Sequence, residues 1–150
     1  MAIPRPRYKS KKRRQGKFKQ GFYKPINEVK YRQPQDRTMN KEIFPEYRSS
    51  WELAFFKYCD TSANVEFWSV ESFPIPYISP KDNKEHRYYV DVMFKTTNGK
   101  KFLIEIKPNK QKTDPVNQAK WDAARLYCKK VGAIFLVITE IELKKFGLIK

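Results

Sequence analysis

Apolar and polar positions change period several times along this chain, and each change marks an element. Ser49-Ser50-Trp51-Glu52 has the Ser-x-x-Glu spacing of a capping box, and the apolar run Leu53-Ala-Phe-Phe56 follows it. A short helix over residues 50–60 is predicted. Val65, Phe67 and Ser69 alternate with Glu66, Trp68 and Val70, a strand closed by Phe73-Pro-Ile-Pro76. Residues 78–86 read as a polar loop. Residues 87–95 and 101–107 read as β-branched and aromatic strands, joined by Thr97-Asn98-Gly99 as a hairpin turn. Val116, Ala119, Ala123, Leu126 and Tyr127 recur at helical spacing, with Gly132 as the stop. Residues 133–139 have the composition of a buried strand, and 140–146 suit a last short helix. The order helix, three strands, helix, strand, helix predicts an α/β (α+β) domain over 48–150, built around a mixed sheet flanked by helices. No internal repeat is present.

Before residue 48 the pattern is different. From Met1 to Lys24 there are ten Lys and Arg and no acid, and Pro4, Pro6 and Pro25 interrupt any helix. The run Lys9-Ser-Lys-Lys-Arg-Arg14 cannot bury itself, because like charges repel and little apolar surface accompanies them. Residues 1–47 are therefore expected to form a basic, Pro-containing arm and linker, extended and ordered against an anion. Phe18, Phe22, Tyr23 and Tyr31 are interleaved with the basic residues. They suit stacking or groove contacts on nucleic acid, and equally suit packing of the arm along its own domain.

Composition narrows the function. The 150 residues carry 32 Lys and Arg against 16 Asp and Glu, a formal net charge of +16, which points to a polyanionic partner. Residues 1–50 hold 15 basic and 4 acidic side chains, and residues 51–150 hold 17 and 12, so most of the excess lies in the arm. Cys59 and Cys128 stand far apart with a single histidine, His86, which excludes a zinc finger and gives no basis for disulfides. Sparse cysteine suits a reducing, intracellular compartment. The longest apolar run, near Ala133–Ile138, is too short to span a bilayer, so no membrane is expected. No apolar segment follows the basic start, which argues against a secretory signal, and an amphipathic, serine-rich transit peptide fits poorly.

Nucleophile-and-histidine schemes find no support, since His86 falls in the expected polar loop without a Ser or Cys signature beside it. The five glycines form no phosphate-binding loop. What remains are the carboxylates of the central hairpin. Asp91 lies in Tyr88-Tyr-Val-Asp-Val-Met-Phe94 and Glu105 in Phe102-Leu-Ile-Glu-Ile-Lys-Pro108. A charge inside such apolar segments is costly unless it lies on an open face or binds a cation. Glu105 and Lys107 share one face of their strand, roughly 7 Å apart, while Phe102, Ile104 and Ile106 face the core. Two carboxylates and a lysine are what metal-assisted phosphodiester hydrolysis uses: hard oxygen ligands beside an activated water.

Register decides whether Asp91 joins them. A two-residue Asn98-Gly99 turn would pair Asp91 with Ile106 and send it to the wrong face. A three-residue Thr97-Asn98-Gly99 loop pairs Asp91 with Glu105 and needs its last residue in the left-handed region, where glycine is at ease. The three-residue loop is favoured. Against the site stands a plain alternative, in which Glu105 and Lys107 are an ordinary surface pair and Glu52 only closes a capping box. On spacing alone that alternative is the commoner outcome.

Taken together, Glu52, Val90-Asp91 and Glu105-Ile106-Lys107 resemble the PD-(D/E)xK nuclease superfamily, whose pattern is a helix-borne Glu, an Asp on the second strand and (D/E)-x-Lys on the third. The ending Ile106-Lys107-Pro108 is similar to that of TnsA-type transposon endonucleases. Length, basic arm and motif order resemble the head completion nucleases of T-even-like phages. Two departures stand out: Val90 replaces the motif proline, and Gln118 is followed by Asp122 where RecB-like members have Gln then Tyr, which leaves the role of Gln118 open.

The resemblance implies a restriction-endonuclease-like fold and a magnesium-dependent deoxyribonuclease, an endonuclease with exonuclease action left open, in which manganese would substitute. It implies metal ligation by Glu52, Asp91, Glu105 and the Ile106 carbonyl, with Lys107 orienting or helping deprotonate the attacking water. Lys11, Lys12, Arg13 and Arg14, with Lys110 and Lys112 just past the motif, would hold DNA phosphates without reading sequence. It further implies trimming of packaged DNA so that filled heads join tails, contact with head or neck proteins, and work in the host cytoplasm with retention in the virion open. The competing reading is a non-catalytic basic nucleic-acid-binding structural or neck protein. The charge distribution yields a direct expectation. Each phosphate contact contributes a slope of about 0.9 in log K against log salt on duplex DNA, so deleting residues 1–24 flattens that slope by several units, as measured by DNA binding across a salt series. An unchanged slope would assign the arm to a protein partner.

Overall fold

A computed structural model of the chain describes residues 20–32 and 44–150. Its centre is a four-stranded mixed sheet, formed by β3 (Val65–Val70), β6 (Val92–Thr96), β7 (Lys101–Ile106) and β8 (Ile134–Ile138), in that spatial order. The first three run antiparallel, and β8 joins β7 in parallel. The parallel pair needs a crossover, which α2 (Pro115–Val131) supplies. Asp114 caps that helix by accepting from the Val116 and Asn117 N–H groups, Pro115 opens it, and Gly132 closes it at φ 74°. On the other face lie α1 (Ser50–Thr61) and α3 (Glu140–Lys145). A ribbon of β4 (Pro74–Ile78) and β5 (Glu85–Tyr89) shares the α2 side.

The sheet thus separates two cores. Phe55, Phe56 and Cys59 of α1 and Leu143 of α3 pack on Trp68, Val92, Ile104 and Ile106. Trp121, Ala124 and Cys128 of α2 pack on Leu103, Tyr88 and Ile75. Alternation along β7 sends Phe102, Ile104 and Ile106 to the first core and Leu103 to the second. The face carrying Glu105 is therefore covered rather than open. Cys59 and Cys128 are free thiols, one in each core.

Several expectations need correction. The single strand over 87–95 is two, broken at Val90-Asp91: β5 pairs with β4, and β6 with β3 and β7. Val90 and Met93, three residues apart, both pack toward α2, so the in–out alternation slips at that break. Phe73-Pro-Ile-Pro76 does not end the strand region, because Pro74 and Pro76 enter β4, a two-stranded ribbon that tolerates missing N–H donors. His86 is not in a loop but in β5, exposed, with Nε2 2.8 Å from Asp82 Oδ2. The strand over 133–139 is an edge strand with Ile134 and Leu136 exposed, not a buried one.

The compact body also starts earlier than residue 48. Within the expected arm and linker, β1 (Gly21–Phe22) pairs with β2 (Glu46–Tyr47). Tyr31 bridges to Trp68 of β3, with ring centroids 4.7 Å apart. The anchor is Asp60, fully buried near the end of α1. Its carboxylate accepts the Ile26 N–H at 2.7 Å, the Asn27 N–H at 3.0 Å and the Tyr23 hydroxyl, while the Asn27 amide donates to its carbonyl at 2.8 Å. Tyr23 and Tyr31 thus pack along their own domain; Phe22 is exposed. Phe18 and the basic residues Lys11, Lys12, Arg13 and Arg14 lie outside the described residues. A truncation that isolates the arm must stop at residue 19, since removal of 1–24 also removes β1 and Tyr23. Asp60→Ala strips the partner from the Tyr23 hydroxyl and the Ile26 and Asn27 N–H groups, all part-buried, and should cost about 1–3 kcal/mol of stability, read as a lowered denaturant midpoint. A loss below about 0.5 kcal/mol would mean that the segment is held by packing alone.

Candidate active site

The hairpin sets the site. Val92 pairs with Ile104, Met93 with Leu103, Phe94 with Phe102 and Lys95 with Lys101. The turn is the three-residue Thr97-Asn98-Gly99, closed by the Thr96 N–H to the Lys100 carbonyl at 2.8 Å, with Gly99 at φ 91°. Continued one step beyond Val92–Ile104, this register sets Asp91 opposite Glu105. Backbone pairing gives way there, and the Asp91 side chain takes over: Oδ2 accepts the Ile106 N–H at 2.8 Å.

Glu105 is 5% exposed. Oε2 receives the Tyr88 hydroxyl from β5 and the Trp121 Nε1–H from α2 at 3.3 Å. Neither donor is near Glu105 in sequence, so neither was legible as a site residue. A surface-pair reading of Glu105 and Lys107 fails for Glu105, because a carboxylate covered by a tyrosine and a tryptophan is not a solvated charge. Burial, the Glu105 and Glu52 charges, and a hydrogen bond to Glu105 together hold the Asp91 carboxyl well above the usual carboxylate range, against the opposing Ile106 N–H.

Glu52 comes from the first turn of α1. Ser49 caps the helix by accepting the Glu52 N–H at 3.1 Å, and its hydroxyl donates to Glu52 Oε2 at 3.4 Å. The reciprocal half of a capping box, a carboxylate on the cap residue's own N–H, is formed in α3 by Thr139 and Glu142, while the side-chain cap of α1 is Ser49 on the Glu52 N–H. The Glu52 carboxyl also accepts the Arg48 backbone N–H and lies within range of the Glu71 and Glu105 charges. Its proton affinity is raised to about 7, first by burial and then by Glu71 and Glu105, with Arg48 pulling the other way.

Arg48 and Glu71 were not foreseen. Glu71 is buried at the end of β3, and Arg48 precedes the cap of α1. Among the described residues no three His, Cys, Asp or Glu side chains are already gathered into a metal cage. The donor set nevertheless suits a hard cation: carboxylate oxygens only, from buried Glu105 and half-buried Asp91 and Glu52, whose mutual repulsion a cation would relieve.

The other expected residues fall around this centre. Ile106 is buried, with its N–H on Asp91. Lys107 is half-buried directly past β7, its N–H donating to the Ile138 carbonyl at 3.0 Å. Lys110 is exposed in a 3-10 turn over Asn109–Gln111. Lys112 lines a cleft of about 270 Å³ with Gln118, Arg125 and Phe135, floored by Trp121. Gln118, whose role was open, donates its side-chain amide to the Lys112 carbonyl. Val137, also on that cleft, pairs with Glu105, so the cleft lies one strand from the acids.

A family model described as TnsA-like endonuclease N terminal matches residues 62–140, more than half of the chain. This chain belongs to the TnsA-like endonucleases. The matched span takes in Asp91, Glu105, Lys107 and Trp121, and the mixed sheet flanked by helices is restriction-endonuclease-like. The chain is also 32% identical over 123 residues to the head completion nuclease of Enterobacteria phage T4, with 67% of this chain and 82% of that protein covered.

Because Glu52 and Asp91 bind protons more tightly in the folded protein than in the unfolded chain, stability falls as pH rises through their folded titration. For Glu52 that window runs from about 4.5 to about 7. Without divalent metal, Glu52→Gln should leave the melting temperature at pH 5 unchanged and raise it at pH 8, because a charge that the site opposes is gone. A lower melting temperature at pH 8 would show that Glu52 acts chiefly as a helix cap.

Proposed function

We propose that this protein is a magnesium-dependent deoxyribonuclease that cuts the DNA backbone without reading its sequence, and that it serves phage head completion. The observation that carries the chemistry is the burial of Glu105 opposite Asp91 with Glu52 within charge range. Three neighbouring carboxylates, one in the first turn of α1 and two at the β6–β7 hairpin, repel one another, and a divalent cation would relieve that repulsion. The head-completion role rests on the likeness to the phage T4 protein. Endonuclease action follows the family, and exonuclease action is not part of the proposal.

Glu52, Asp91 and Glu105 would hold the metal, with the Ile106 carbonyl as a further ligand and Mn2+ as a substitute. The ion supplies polarisation of the scissile phosphate and a more acidic water. The chain's own residues do the rest. Tyr88 and Trp121 fix the Glu105 carboxylate, so its free oxygen faces one direction. A cation held there would favour the charged forms of Asp91 and Glu52, which their surroundings otherwise oppose. Lys107, on the Glu105 face, orients the attacking water and offsets charge growing on the phosphorus oxygens. Lys112 and Arg125 line the neighbouring cleft, and with Lys110 they offer a path for the phosphate backbone. Lys11, Lys12, Arg13 and Arg14 would add sequence-independent charge. Head or neck proteins are the proposed partners, and the host cytoplasm during assembly the proposed place of action.

Asp91→Ala and Glu105→Gln should each reduce magnesium-dependent plasmid cleavage by at least 1,000-fold (of the order expected when transition-state contacts are lost), with DNA binding in EDTA unchanged. Glu105→Gln is preferred to Glu105→Ala because the amide oxygen still accepts from Tyr88 and Trp121, which spares the core. Cleavage by either variant at the wild-type rate would overturn the site assignment. Wild-type protein that binds DNA but never cuts it would favour the non-catalytic structural reading.

A further inference from the structure

Arg48 and Glu71 form a parallel fork, with Nη1 to Oε1 at 3.0 Å and Nη2 to Oε2 at 3.2 Å. The carboxylate end is almost fully buried, with side-chain exposure of 6%, against 30% for the arginine. Glu71 also occupies the left-handed region at φ 42°, which a non-glycine residue adopts only at a cost in backbone strain. In that conformation its N–H donates to the Asp91 carbonyl at 3.3 Å.

These contacts connect the two segments that aim the acids. Arg48 precedes Ser49, the cap that fixes the first turn of α1 and hence Glu52. Glu71 is tied by its backbone to the bend that carries Asp91. A buried ion pair is a poor source of stability, because desolvation offsets most of the attraction. A strained backbone is a further cost. That both occur at one residue, against the acidic group, points to a function.

We propose that Arg48 and Glu71 are positioning residues, whose fork fixes Glu52 relative to Asp91 so that the two can share one divalent ion. The inference rests on the metal-dependent reading above and extends it to two residues outside the motif. The geometry requires a planar, two-pronged donor: an ammonium cannot bridge both carboxylate oxygens in this way.

The test uses the full chain and three variants. Glu71→Gly keeps the positive φ and the N–H to Asp91 but deletes the carboxylate. Arg48→Met deletes the guanidinium, and Arg48→Lys keeps only its charge. Mn2+ affinity is measured without DNA by calorimetry, and single-turnover cleavage is followed across a Mg2+ series at saturating DNA. Glu71→Gly and Arg48→Met should weaken Mn2+ binding at least tenfold and shift half-saturation by Mg2+ at least tenfold, with DNA affinity in EDTA within threefold of wild type. Arg48→Lys should remain impaired in both. Should Arg48→Met fail to fold, Glu71→Gly decides the matter, because its backbone is relieved rather than strained. Lowered melting temperature with unchanged Mn2+ affinity would overturn the proposal in favour of a structural brace. Full rescue by Arg48→Lys would also overturn it, since charge alone would then suffice. Wild-type protein that binds Mn2+ normally and loses nothing in these variants would refute the fork and leave the metal-nuclease reading standing, whereas wild-type protein that binds no Mn2+ would refute both.

Discussion

Asp91 and Glu105 face one another across neighbouring strands, with Glu52 close enough for its charge to be felt by both. Carboxylates cannot all ionise in such a place without something positive between them, because the surroundings screen poorly and withhold hydration. The arrangement can relax through a shared proton or through a bound cation. The surrounding contacts give each acid its own donors. Tyr88 and Trp121 satisfy Glu105, the Ile106 N–H satisfies Asp91, and Arg48 offsets part of the remaining charge without lying between the two strands. Glu105 is closed off from water, whereas Asp91 and Glu52 are half-buried beside it.

Rigid elements hold that arrangement. The hairpin of β6 and β7 is apolar on both faces and covered by helices on both, so its register cannot slip without exposing a whole set of side chains. Gly99 fixes the turn from one end, and the bend at Asp91 frees its carboxyl from the ladder at the other. Trp121 ties α2 to the acid it covers, and the same ring floors the cleft carrying Lys112 and Arg125. Acid site and basic cleft are therefore linked through one side chain, and a DNA backbone in the cleft would lie one strand from the acids.

The N-terminal segment divides its work. Residues 20–32 belong to the fold: Asp60 gathers Tyr23, Ile26 and Asn27, and Tyr31 covers the outer strand of the sheet. A buried aspartate is tolerable here because backbone and side-chain donors converge on it, whereas Asp91, Glu105 and Glu52 stand beside one another as well as beside their donors. That contrast separates a structural carboxylate from a candidate ligand more clearly than burial does.

The sequence by itself determined most of the elements and one decisive register. The 3.6-residue and two-residue periods located α1, α2, β7 and the hairpin, and the need for a positive φ at Gly99 selected the loop that sets Asp91 against Glu105. These are local properties, fixed by a few neighbouring residues and by backbone sterics. The tertiary structure alone decided what surrounds the acids. Glu105 looked like one member of a solvated Glu-x-Lys face until Tyr88 and Trp121, 17 and 16 positions away, closed over it. Tyr23 and Tyr31 were equally suited to a nucleic acid or to their own domain until Asp60 and Trp68 took them up. Arg48 and Glu71 gave no signal at all, being 23 residues apart and each unremarkable alone. Which face of a strand is covered, and which charges meet, depends on contacts between segments distant in the chain, and no period or spacing encodes them.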